Sequence, residues 1–83
     1  MVEDARERAR QLADTLQDRG HAAPAAEVSR AAGAVATVEQ VFLRGLRDAL
    51  QSALTAIEAI DPVSAGAIDE LRLEVDKRLG RHA

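Results

Sequence analysis

Apolar positions recur along this chain with the period of a helix almost throughout, and one stretch dominates the pattern. Over residues 37–60, TVEQVFLRGLRDALQSALTAIEAI, a rotation of about 100° per residue puts Phe42, Leu46, Leu50, Leu54, Ile57 and Ile60 on one flank, with Leu43 at its edge. Gly45, Ala49, Ser52, Ala56 and Ala59 form a second, small-residue flank that also takes in Val38 and Val41. Together the flanks cover roughly 220° of the circumference, where a helix packed on one side needs roughly 100°. Only Gln40, Arg44, Arg47, Asp48, Gln51, Thr55 and Glu58 make a continuous polar strip. Such a helix requires neighbours on at least two sides. Thr37 followed by Gln40 has the form of a capping box, and Asp61-Pro62 supplies a stop, because the residue before proline is pushed out of the α region.

The flanking pattern predicts two shorter helices. Val2, Ala5, Ala9, Leu12 and Leu16 alternate spacings of three and four over 2–19, with Glu3 and Asp4 in the first turn and Gly20 as the C′ residue. The Ala5, Ala9, Ala13 ladder predicts a close antiparallel approach to another small-residue surface, for which Ala25, Ser29 and Gly33 are placed at four-residue spacing. Ile68, Leu71, Val75 and Leu79 make a stripe over 62–79, closed by Gly80. Arg72 with Asp76 and Glu74 with Arg78 are i,i+4 pairs, and Lys77, Arg78 and Arg81 suit the C-terminal dipole. Leu73 projects away from that stripe.

Residues 24–36 decide the architecture. Pro24 suits a first helical turn, and the segment is rich in alanine. Val35, Val38, Phe42, Leu46, Ala49, Ala53, Ile57 and Ile60 keep spacings of three and four without a slip, which favours one helix from about 24 to 60, unbroken or kinked near 33–37. The capping box at Thr37 favours a break and a compact four-helix bundle. The expectation is thus an all-α single domain over 1–83, a small bundle of three to four helices. In it the long central helix is flanked by helices at about 2–19 and 62–79, and dimerisation completes the packing.

Composition explains why association is expected. Of the 83 residues 47% are hydrophobic, but alanine supplies nearly half of that, with one Phe and no Trp or Tyr, so the buried area per residue is small. Leu43, Leu50, Leu54 and Leu73 exceed what the thin stripe of the first helix can cover, and with Val41 and Gly45 they form the candidate interface, to a second copy or to another protein. A net charge of −3 with signs mixed throughout argues against a dedicated nucleic-acid binder. Ten arginines against one lysine, with the alanine excess, read as a GC-rich bacterial coding bias. No stretch approaches the roughly 20 apolar residues of a membrane span, and MVEDARERAR has no apolar signal-peptide core, so the expected location is cytoplasmic.

Candidate chemistry is sparse. There is no cysteine, and no cofactor or metal is expected. His21 and His82 read as solvated, Asp18 beside His21 making at most a pair. Glu3 with Glu7 and Glu70 with Glu74 set carboxylates one turn apart without the inward histidines that bundle metal sites use. Ser29, Ser52 and Ser64 have no base placed to activate them, and the arginines 6, 8, 10, 44 and 47 read as solvated faces. Residues 27–42, EVSRAAGAVATVEQVF, resemble a repressor-type helix-turn-helix of the form xVAxxAGVSxxTVxxVL through Val28, Ala32, Gly33, Thr37, Val38 and Val41. In that motif the valine after the turn lies six residues beyond the glycine, whereas Val38 lies five beyond Gly33, and Arg30 is the only base before Arg44. The leading expectation is a non-enzymatic, self-associating interaction module of the adaptor, inhibitor, antitoxin-like or scaffold kind. The alternative is a small DNA-binding regulator using 27–42.

Overall fold

Four helices, α1 (Val2–Asp18), α2 (Ala22–Gly33), α3 (Glu39–Ile57) and α4 (Pro62–Arg78), build an all-α bundle. The computed structural model describes residues 2–80, and of Val2 the backbone alone, so the expectations for Arg81 and His82 lie outside the described residues. Polar contacts give the direction of each helix. Arg6 near the start of α1 reaches Ala34 just after α2, Arg19 just after α1 reaches Asp61 just before α4, and Asp4 pairs with Arg78 at the end of α4. Neighbouring helices are therefore antiparallel. One end of the bundle carries the 19–21 and 58–61 turns, and the other carries the 34–38 connection.

Three of the helix boundaries follow from local chemistry. Gly20 takes φ 87°, and the His21 and Gly20 N–H groups bond back to the carbonyls of Leu16 and Gln17, which is the bond pattern of a Schellman cap. Asp61 sits at φ −146°, outside the α region as the following Pro62 requires, and its carboxylate accepts the Ser64 N–H as the N-cap of α4. Gly80 turns to φ 68° after α4.

The expected helix over 24–60 is not formed. The chain leaves α2 at Gly33, runs extended through Ala34 (φ −65°, ψ 140°) and re-enters a helix after Val38 (φ −110°, ψ 125°). The break is not made by the Thr37 capping box either, since Val38 is the N-cap residue of α3 and no side chain caps it. A contact from far away in sequence holds the break. The Arg6 guanidinium donates from Nη1 to the carbonyls of Ala32 (2.5 Å) and Ala34 (3.2 Å) and lies 4.5 Å from the centre of the Phe42 ring. One cation thus satisfies the open carbonyl end of α2 and stacks on the first turn of α3, a favourable placement for positive charge at a helix C-terminus and over an aromatic face.

The core lies mainly on α3, whose Phe42, Leu43, Leu46, Leu50, Ala53 and Ile57 are all buried. Around it stand Leu12 and Leu16 of α1, Val28 of α2, and Ile68, Leu71 and Val75 of α4. The alanine ladder of α1 is buried as expected, but its partner surface on α2 is Ala25, Val28 and Ala32, while Ser29 and Gly33 face outward. Ile60, placed by periodicity on the core flank, is 71% exposed because α3 ends three residues earlier. No helix among the described residues is long and apolar enough to cross a membrane.

Leu46 is fully buried at the middle of this core. Leu46→Asp should cost several kcal/mol, enough to abolish the cooperative thermal transition in far-UV circular dichroism for a domain of marginal stability. A variant that still melts near the wild-type temperature would show that the α3 face is not the core.

Candidate interaction surface

At the end of the bundle holding the two tight turns, Asp61 ties three elements together. Its carboxylate is 7% exposed and accepts from Arg19 Nε (2.7 Å) and Nη2 (3.0 Å), from His21 Nε2 (2.8 Å), and from the Ser64 hydroxyl (2.8 Å) and N–H (3.2 Å). An ionised carboxylate only accepts, so His21 Nε2 carries the hydrogen of that bond. The bidentate Arg19 fork, then His21, then Ser64 hold the Asp61 carboxyl far below the usual carboxylate range, and Asp61 in turn raises Arg19. His21 is thus not the solvated loop residue expected from the sequence. Its side chain is only 14% exposed and closes the α1–α2 turn onto α4.

Ser64, His21 and Asp61 do not compose a nucleophile relay. In such a relay the imidazole stands between hydroxyl and carboxylate, whereas here the carboxylate stands between the other two. Nor do the other candidate groups converge. Ser52 donates to Glu27 (3.0 Å), Ser29 is exposed, Glu7 accepts from Gln11, and Glu3 lies 3.9 Å from Arg6. Among the described residues no group of three or more His, Asp or Glu is arranged to hold a metal ion. Arg6 is not a solvated residue, since its side chain is 17% exposed and clasps α2, while the partly exposed Arg8 pairs with Glu74 across to α4. That bond, with Arg78 to Asp4, replaces the expected Glu74 and Arg78 pair, while Arg72 does bond Asp76 (3.3 Å) as well as Asp69.

The expected interface residues separate into two groups. Leu43 and Leu50 are 1% and 0% exposed and lie inside the chain's own core, so they are no part of an open surface. Leu54 is half-buried against that core. Val41 and Leu73 remain 57% and 51% exposed, and Gly45 is exposed with nothing within 4 Å of where a Cβ would stand. The larger apolar exposure is one the sequence pattern assigned to a helix face: Val35 and Val38, at 94% and 54%, project from the connection at the opposite end from Asp61 and continue into Val41. A second pair, Ile60 and Val63, stands beside Asp61 at the rim of a shallow depression lined by Arg19, His21 and Pro62.

Across 27–42 the chain does run helix, connection, helix, but α3 folds back along α2 far enough for Ser52 to reach Glu27, giving an antiparallel hairpin. The fold defines a small antiparallel four-helix bundle. No protein-family model, no curated protein and no solved structure matches the chain.

The Asp61 lock has a pH signature. Because the folded-state carboxyl is depressed, its contribution is complete above the unfolded value of about 4 and is lost progressively as pH falls below it. Asp61→Asn should therefore lower the melting temperature at pH 7, and the gap to wild type should shrink on descending from pH 5 to pH 2. A gap independent of pH over that range would show that the charge of Asp61 does not stabilise the fold.

Proposed function

We propose that this chain is a non-enzymatic helical interaction module, acting in the cytoplasm as a homodimer or larger assembly and docking other proteins as an adaptor, inhibitor or scaffold component does. The observation that supports this is the concentration of exposed valines, Val35, Val38 and Val41, around one connection of a bundle whose leucines, Leu73 apart, are buried or half-buried. Single exposed apolar residues are ordinary on a soluble protein, but here three fall within seven positions of the chain, with the exposed Gly45 one helical turn further on. The module reading predicts a solution mass, by light scattering across a concentration series, that rises above that of one 8.9 kDa chain. Val38→Asp with Val41→Asp should return it toward the monomer while leaving the circular dichroism melt within a few degrees of wild type. Unchanged assembly in that variant would remove this surface from the account. Leu73→Asp, measured in parallel, should weaken assembly, and wild-type behaviour would leave Leu73 a lone exposed leucine.

The alternative, a DNA-binding regulator, draws on the helix–connection–helix order across 27–42. It requires retardation of duplex DNA in a low-salt gel shift that Arg30→Glu weakens, and absence of both discards it.

A further inference from the structure

We infer that residues 34–38 are a hinge through which two copies of this chain exchange their α1–α2 hairpins, α2 and α3 joining into one straight helix as they do so. The inference rests on the self-association proposed above and specifies its mode, with a second copy of the chain as the partner.

The first support is phase. The buried residues of α2 and α3 lie on separate helices in the structure, yet they remain in register at 3.6 residues per turn across the connection. At about 100° per residue, Ala25, Val28 and Ala32 of α2 and Phe42, Leu43, Leu46, Leu50, Ala53 and Ile57 of α3 fall within one arc of about 100°. Val35, 94% exposed in the closed chain, falls inside the same arc. Two helices joined by an ordinary loop need no common phase. Here straightening the connection keeps both buried stripes on one face and puts Val35 between them.

The connection itself also allows this. Residues 34–38, Ala-Val-Ala-Thr-Val, contain no proline or glycine, and none has a positive φ. Among the described residues no hydrogen bond engages the N–H groups of Val35, Ala36, Thr37 or Val38. In a continuous helix the Ala36 and Val38 N–H groups would bond the carbonyls of Ala32 and Ala34. Those are the two carbonyls that Arg6 occupies. Arg6 therefore holds those carbonyls in the extended connection, and removing it leaves them to the chain's own amides. An exchanged dimer rebuilds the same α1–α2 on α3–α4 packing between copies, so the two states differ mainly at the hinge and in the entropy of association.

The test is the mass and maximum dimension of four proteins by light scattering and small-angle X-ray scattering. Arg6→Ala should raise the dimer association constant by about tenfold or more, the worth of two hydrogen bonds from a charged donor. Its dimer should contain a helix over 22–57 about 54 Å long, against 33 Å for the longest dimension of the closed chain. Adding Val35→Pro should return Arg6→Ala to the monomer. Ala34 already has the extended backbone that a residue before proline adopts, so the substitution suits the loop and forbids the helix. Val35→Ala is the control for loss of the valine and should keep the dimer. If Arg6→Ala with Val35→Pro dimerises as well as Arg6→Ala, the exchange is overturned and surface self-association stands. If wild type and Arg6→Ala are both monomeric at millimolar concentration, the exchange and the self-association reading fall together.

Discussion

The arrangement of this bundle depends on which groups satisfy the carbonyls of Ala32 and Ala34. Periodicity would hand them to Ala36 and Val38 and carry one helix from α2 into α3. Instead Arg6 takes both, the connection stays extended, and α3 folds back to bury its apolar flanks within its own chain. A charged donor resting on the Phe42 ring is well suited to this, because the ring face attracts the cation while its Nη1 reaches both carbonyls. At the opposite end Arg19 does the corresponding work on Asp61.

Those ties matter because α1, although packed closely along α2, offers few large apolar side chains. Of its buried apolar residues only Leu12 and Leu16 are large, the others being Ala5, Ala9 and Ala13, and each alanine removes little area from water. Arg6, Arg8 and, just beyond the helix, Arg19 add polar ties from α1 to its neighbours, each through a partner far away in sequence. The centre of the molecule is different in kind. There the wide apolar surface of α3 meets α2 on one side and α4 on the other, so the neighbours that this surface demands come from the same chain.

The helices and their outer boundaries were legible because their causes are local: Gly20, Pro62 and Gly80 act within a few residues, and the apolar stripes of α1 and α4 report their buried faces directly. The break at 34–38 was not legible, since its sequence keeps the phase of a helix, although Val35, Thr37 and Val38 are weak helix formers, and the Arg6 contact that holds it comes from 26 residues away on α1. The capping box at Thr37 pointed to a break without being the device that makes it. Leu43 and Leu50 were assigned outward because the thin α1 stripe could not cover them, although the other helices of the chain do. His21 was misjudged for the same reason as the break, its partner Asp61 being 40 residues further on. Exposed Val35 and Val38 were visible only as members of the heptad pattern, which is the property the hinge retains.

The connection between α2 and α3 is therefore the place where local preference and tertiary contact disagree, and it carries both the largest apolar exposure and the route to a second copy. Amide hydrogen exchange read residue by residue across 33–40 by NMR tests this most directly. The account predicts fast exchange at Val35, Ala36, Thr37 and Val38 in the wild-type monomer, with protection gained at Ala36 and Val38 when Arg6 is replaced by alanine. Strong protection of those two amides in the wild-type monomer would mean that one continuous helix spans this region, and would contradict it.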